Sequence, residues 1–286
     1  MRQCNHSHCH SKVIALAQSV SAVKAPAVVD DWTIRQVAQC ASTNDLILAQ
    51  AQAQAGAPDR TVIICTDQRA GRGRRGNDWV CRPGESLACS LLWSSGRPQA
   101  QLGWLPIATG IGVARALRSL TGAPIQLKWP NDLICHGAKL AGILVETVPG
   151  MARTQCTRLV IGIGINLHGA RALSGELHRP ISDLASLAGR PVGVHDVMAP
   201  LLREVGEQLG LFESRDDPLC VALLERRWAE LDALTGRTIE FTDGARSLAG
   251  VAVGLANDGG LRVMTANGMK TVYSGDVSIR SIEPSQ

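Results

Sequence analysis

The sequence predicts an α+β fold: a mixed sheet flanked by helices, followed by a small β-barrel. Two observations predict it. From residue 32 to residue 234, runs of strand-like character alternate with runs of helical periodicity. After Thr235-Gly236 the segments become short, β-rich and spaced by turns at Asp243-Gly244, Asn257-Asp258-Gly259-Gly260, Asn267-Gly268 and Ser274-Gly275. Asn-Gly between alternating runs is a strong hairpin signal. Five such segments in about 50 residues suit a small barrel, which is marginal alone and needs a larger neighbour. A chain of 286 residues has room for both.

The elements follow in order. Residues 1–31 read as a poorly ordered tail. Its Cys4, His6, His8, Cys9 and His10 match no common structural zinc spacing. The apolar stretch 13–29 is interrupted by Gln18, Ser19, Ser21, Lys24 and Pro26, too often for a spanning helix, and it shows no clear signal-peptide cleavage site. Ser42 suits a helix N-cap, with Asp45 in the first turn of a helix over 46–55 that Gly56 and Pro58 end. Strands are expected over 61–66 and 86–93, and a helix over 106–120 with Ile107, Ile111, Ala114 and Leu117 on one face. A strand over 125–129 turns at Pro130-Asn131-Asp132 into 133–135. Strands over 139–147 and 159–167 and helices over 194–212 and 218–234 complete the larger part.

Composition narrows the function. There are 29 Lys+Arg against 25 Asp+Glu, a net charge of only +4, which does not by itself indicate a nucleic-acid partner. Six Trp, two Phe and one Tyr are too few for a platform that stacks single-stranded bases. Nine cysteines without paired spacing, several inside apolar runs, point to reduced thiols and a cytoplasmic protein.

Three segments carry chemistry. Gln68-Arg69-Ala70-Gly71-Arg72-Gly73-Arg74-Arg75-Gly76 interleaves glycines with arginines behind a strand. Glycine lets the backbone approach a ligand, and the guanidinium fork fits phosphate and carboxylate oxygens, so the stretch reads as a cationic loop over an anionic small molecule. A solvated basic loop would carry the same charge. Next, Lys128-Trp129-Pro130-Asn131-Asp132 is a strand end turning sharply, and Lys139 opens Lys139-Leu140-Ala141-Gly142-Ile143-Leu144 seven residues later. Asn131 and Asp132 fit a plain turn, and Lys139 fits a solvated strand edge. The lysine equally serves as a point charge beside carboxylate or phosphate, with Gly142 leaving room against the backbone. Third, Gly162-Ile163-Gly164-Ile165-Asn166 lacks the third glycine of a dinucleotide fingerprint. Its glycines leave room either for a flat ligand that Asn166 would bond or for tight packing.

Taken in order, Ser42-Thr43-Asn44, the Gln68-to-Gly76 loop with Trp79, Lys128-Trp129-Pro130-Asn131-Asp132, Lys139-Leu140-Ala141-Gly142 and Gly162-Ile163-Gly164-Ile165-Asn166 resemble the biotin protein ligases. Ser274-Gly275-Asp276-Val277-Ser278-Ile279-Arg280 resembles their C-terminal domain, so the likeness spans about residues 32–282. It implies a class II aminoacyl-tRNA-synthetase-like catalytic domain over 32–234 and an SH3-like domain over 235–286. It implies activation of biotin by ATP and Mg²⁺ to biotinyl-5′-AMP, then transfer to a lysine of a biotin carboxyl carrier protein of acetyl-CoA carboxylase or a related enzyme. Lys139 and Arg74 would be catalytic. Ser42, Thr43, Asn44, Gln68, Gly71, Arg72, Gly73, Arg74, Lys139 and Gly142 would bind biotin. Arg72, Arg74, Trp79, Asn131, Asp132, Lys139, Asn166 and Arg280 would serve ATP, with Asp132 on the metal. Asn77 stands where the family often has a further arginine, Cys81 and Ser86 replace a usual serine and asparagine, and Asp276 a usual glutamate. About 30 residues before the likeness begins are too few for a DNA-reading helical domain, so the ligase-only form is expected over a biotin-sensing repressor. A lipoyl or octanoyl ligase or transferase shares the core fold but carries a different arginine-glycine-glycine signature.

Overall fold

The computed structural model describes residues 21–23, 27–53, 56–149, 156–243, 246–275 and 277–279. The chain divides into two compact units: residues 1–95 with 144–168, and residues 96–143 with 169–286. The N-terminal histidines and cysteines, Asp276 and Arg280 lie outside the described residues.

The first unit is built on a mixed sheet. β1 (Ser21–Val23) and β2 (Ala27–Val29) pair antiparallel to β3 (Trp32–Gln39), so strand pairing begins inside the stretch read as a tail. β3 is parallel to β4 (Thr61–Cys65), and β4 is antiparallel to β7 (Ser86–Ser95). β7 is antiparallel to β11 (Thr157–Asn166) along its whole length. β4 is buried at every position and β7 at all but one, which is why both read as continuous apolar runs rather than alternations. Two two-residue strands, β5 (Gly71–Arg72) and β6 (Asp78–Trp79), form a separate hairpin. Helix α1 (Thr43–Gln52) begins where Ser42 accepts a hydrogen bond from the Asp45 backbone N–H at 3.4 Å, the expected cap. Its buried Ile47 and Ala51 join Val37, Ile63, Leu92 and Val160 in one core.

In the second unit β8 (Gln126–Lys128), β9 (Asp132–Cys135) and the first part of β10 (Ala138–Thr147) form an antiparallel meander. The last residues of β10 belong to the first unit, where β10 neighbours β11. Helix α2 (Leu105–Thr121) carries Ile107, Ile111 and Leu117 into the core and ends on Gly122 at φ +67°. It packs on α5 (Val194–Glu213). The contact is close because Gly112 has no side chain: a Cβ there would stand 2.6 Å from the Val205 Cα. Two short helices, α3 (Ala170–Leu177) and α4 (Leu184–Ala188), fall in a stretch that carries no long periodic run, and α6 (Pro218–Ala229) starts on a proline behind its Asp217 cap.

The C-terminal strands β12 (Thr238–Asp243), β13 (Arg246–Leu255), β14 (Leu261–Thr265), β15 (Gly268–Val272) and β16 (Val277–Ile279) form the small β structure that turn spacing foretold. All pairs are antiparallel, in the order β15-β14-β13-β12-β16. The β14–β15 turn closes at Gly268, φ +97°, where Asn267-Gly268 placed it. The β13–β14 hairpin tip is fastened by two indoles: Trp104 Nε1 donates to the Asn257 carbonyl and Trp129 Nε1 to the Gly259 carbonyl, each at 3.0 Å. The Arg215 guanidinium lies 4.3 Å from the Trp104 ring centroid and donates to the same Asn257 carbonyl.

Candidate functional site

In the first unit the N-terminus of α1 supplies three consecutive buried polar residues, Ser42, Thr43 and Asn44. Gln68 is buried beside them: its Oε1 accepts from the Thr43 backbone N–H at 2.9 Å and lies 3.1 Å from the Thr43 hydroxyl. Ser90, fully buried on β7, places its Oγ 2.7 Å from Thr43 Oγ1 and 2.5 Å from Asn44 Oδ1. The other side of the Asn44 amide donates to Glu146 Oε2 at 2.7 Å. A continuous polar network therefore runs from Gln68 through Thr43, Ser90 and Asn44 to Glu146.

The glycine-arginine loop lies against that network. Gly71 is a place where only glycine fits: a Cβ would stand 2.3 Å from the Trp79 carbonyl oxygen and 2.5 Å from Gln68 Nε2. Arg74, Arg75 and Gly76 form one turn of 3₁₀-helix, with Arg75 at φ +55° and the Gly73 N–H donating to the Asn77 carbonyl at 2.7 Å. Asn77, where a further arginine was the family expectation, thus contributes its backbone to the turn. Arg72 Nη2 reaches back to Asp45 Oδ1 at 2.6 Å and Glu146 Oε2 at 3.1 Å. Burial pushes the Asp45 carboxyl above the usual carboxylate range; Arg72 pulls it back and Glu146 pushes it further up.

The space beside the two β11 glycines is occupied by side chains of the first unit. The room over Gly162 is taken by the Asn44 amide, 2.4 Å from where a Cβ would stand, and the room over Gly164 by the Trp79 indole at 2.3 Å. The glycines accommodate the chain's own side chains, and Asn166 is buried at the end of the same strand.

The second unit holds the other set. Lys139, near the start of β10, places Nζ 2.6 Å from Asp132 Oδ1 on β9, each about a quarter exposed. Its main chain is fixed by a hydrogen bond to the Pro180 carbonyl and one from the Ser182 N–H. Asn131 donates its amide to the Ile143 carbonyl at 2.6 Å, which ties the turn to β10. Gly142 stands opposite Asp132 in the β9–β10 register. Among the described residues, the cysteines at 40, 65, 81, 89, 135, 156 and 220 are free, and no helix is long and apolar enough to cross a membrane. Burial pushes the Cys89 thiol up to about 12, which leaves it unreactive.

Three participants escaped the sequence reading: Asp45 beyond its helical turn, Ser90 and Glu146. Ser90 was visible as a lone hydroxyl within Leu87-Ala88-Cys89-Ser90-Leu91-Leu92, and Glu146 as a carboxylate ending an apolar strand. Nothing local tied either to Asn44.

The sequence profile of the biotin/lipoate A/B protein ligase family matches residues 36–166, and that of the biotin protein ligase C terminal domain matches residues 235–280. The bifunctional ligase/repressor BirA of Escherichia coli is 33% identical over 221 residues, 77% of this chain. The chain spans 66% of that relative's length. The biotin–[acetyl-CoA-carboxylase] ligase of Mycobacterium tuberculosis is 28% identical, with 84% of this chain and 86% of that protein covered. The biotin protein ligase from Aquifex aeolicus, solved in complex with biotin and ATP, superposes with a TM-score of 0.72 at 26% identity, covering 86% of this chain and 98% of that one.

Proposed function

The chain belongs to the biotin/lipoate A/B protein ligase family, and we propose that within it the chain is a biotin–protein ligase. It activates biotin with ATP to biotinyl-5′-AMP and passes biotin to a lysine of a carboxyl carrier protein of acetyl-CoA carboxylase or a related enzyme. The observation that carries the reading is the Thr43–Gln68 pair beside the glycine-arginine loop. A buried ureido ring needs matched donors and acceptors, whereas the dithiolane of lipoate offers none to match. The pair therefore favours biotin over a lipoyl substrate. The solved relative from Aquifex aeolicus, with biotin and ATP bound, supports the same choice.

The chemistry follows from charge. Biotin carboxylate and the α-phosphate of ATP repel, so fixed cations must hold them together. Lys139 contacts both oxygens as the P–O bond to the carboxylate forms and pyrophosphate leaves. Ser42, Thr43, Asn44 and Gln68 address the ureido ring, and Gly71, Gly73 and Gly142 are assigned to biotin as well. Arg72 and Arg74 close over carboxylate and phosphate. Trp79, Asn131, Asp132, Asn166 and Arg280 serve the nucleotide. In the second step the carrier lysine attacks the anhydride carbonyl, an amide forms, and AMP leaves.

Mg²⁺ binds through one or two carboxylates together with substrate phosphates. Asp132, a quarter exposed beside Lys139, fits that donor set and would hold the ion, which neutralises charge on the ATP phosphates when bound. The catalytic domain is assigned to residues 32–234 and the SH3-like domain to 235–286. Free thiols at seven positions suit a cytoplasmic setting.

Radiolabelled biotin with ATP and a carrier domain tests the reading, with lipoate as competitor. Labelling that lipoate does not suppress is expected; labelling by lipoate in place of biotin would overturn it. A second expectation concerns the loop. Arg74→Gly removes one closing cation and loosens the 3₁₀ turn, so biotinyl-adenylate should escape and label bystander lysines. Quantifying free adenylate after rapid filtration measures the leak, and retention equal to the wild type would refute the lid role.

A further inference from the structure

We infer that Glu146 is a positioning and specificity-determining residue, which sets the direction of the protons running from Asn44 through Ser90 to Thr43 in the polar network that meets biotin. The inference rests on the biotin-ligase reading above. A single atom, Glu146 Oε2, receives the Asn44 amide at 2.7 Å and the Arg72 guanidinium at 3.1 Å.

An ionised carboxylate only accepts hydrogen bonds. Asn44 must therefore turn its NH₂ toward Glu146, which leaves its Oδ1 facing Ser90 Oγ at 2.5 Å. Two acceptors cannot stand that close, so Ser90 gives its single proton to Asn44. Ser90 then has lone pairs alone to offer Thr43, 2.7 Å away, and the Thr43 hydroxyl turns its own proton to Ser90. Turning the Thr43 proton to Gln68 instead would keep a longer 3.1 Å bond and leave the 2.7 Å Ser90–Thr43 contact with no proton in it. Gln68 Oε1 meanwhile is held by the Thr43 backbone N–H at 2.9 Å, which fixes the Gln68 amide with Nε2 on its other side.

The result is a pair of opposite polarity. Thr43 Oγ1 is left as an acceptor and Gln68 Nε2 as a donor. A ureido group presents one N–H and one C=O to such a pair. Glu146 acts on this match through three intervening residues, and the same oxygen tethers Arg72 of the loop, so recognition and loop anchoring share one carboxylate.

Glu146→Gln keeps the shape and removes the obligatory acceptor. Its amide can donate to Asn44, the Asn44 amide can then invert, and the polarity is no longer imposed. Biotin-dependent ATP–pyrophosphate exchange should show KM for biotin rising about tenfold or more, as expected for loss of a charge-assisted bond, and KM for ATP rising clearly less, because Arg72 keeps its shorter 2.6 Å bond to Asp45. Wild type should also discriminate strongly against biotin methylated on a ureido nitrogen, and Glu146→Gln should discriminate less. Ser90→Ala, which interrupts the same chain, should raise KM for biotin alone and stands in if Glu146→Gln does not fold. An active wild type with unchanged biotin KM in both variants overturns the inference. Equal losses for biotin and ATP with undiminished discrimination reduce Glu146 to a structural role and overturn it too. A wild type without biotin-dependent exchange rejects the ligase reading itself.

Discussion

Lys139→Ala is expected to lower the rate of biotinyl-adenylate formation by about 100- to 1,000-fold, the usual cost of removing one preorganised group that stabilises charge in a transition state. Nζ sits 2.6 Å from Asp132 Oδ1, and the backbone of Lys139 is held on both sides by residues 180 and 182. The ammonium is thus delivered on a rigid strand, not on a loop. Removing it leaves Asp132 without its cation partner, but Asp132 keeps about a quarter of its side chain in water, so the fold should survive. Pyrophosphate exchange measures the rate, and circular dichroism checks the fold. A folded variant that forms adenylate at a near wild-type rate would remove Lys139 from the mechanism. Asp132→Asn separates the two partners, because it spares the ammonium while removing the carboxylate assigned to Mg²⁺.

Gly112→Ala and Gly210→Ala are expected to change stability in opposite directions, although both are glycine-to-alanine changes in packed helices. Alanine gains about 1 kcal/mol over glycine in a helix interior. At Gly210 on α5 a Cβ would meet nothing within 4 Å, so the gain is kept and stability rises by about 1 kcal/mol. At Gly112 on α2 the new Cβ would lie 2.6 Å from Val205 Cα and 2.8 Å from Val205 N. Those are backbone atoms of α5, which no rotamer change relieves. Overpacking of this kind costs about 1–3 kcal/mol or more, which exceeds the propensity gain. Urea unfolding of the two variants measures the difference. Equal shifts in one direction would show that α2 and α5 separate readily.

Much of this architecture was legible because the apolar runs are long. The strands at Thr61–Cys65 and Ser86–Ser95 and the helices at Leu105–Thr121 and Val194–Glu213 stand within a residue or two of their periodicity. The short pieces were not legible. A two-residue strand such as Gly71–Arg72 has no period, and Ala170–Leu177 carries a glycine inside it. In the site, Thr43, Asn44 and Gln68 were marked by the family resemblance, yet their energetics depend on Ser90 and Glu146. The Asn44–Glu146 bond joins residues 102 positions apart, a relation that no local pattern encodes. Gly162 and Gly164 show the same limit. Missing side chains announce that something lies close, and only the structure names Asn44 and Trp79.

The indoles of Trp104 and Trp129 grip the β13–β14 hairpin by its carbonyls, and a carbonyl is common to every amino acid. Evolution and protein engineers are therefore free to rewrite residue 257 without breaking the clasp. Gly259 has no such licence, since at φ +90° any Cβ would run into the Gly103 backbone at 2.7 Å. Grafting a foreign terminal sheet onto this chain thus requires one inherited glycine and a recipient that keeps both tryptophans.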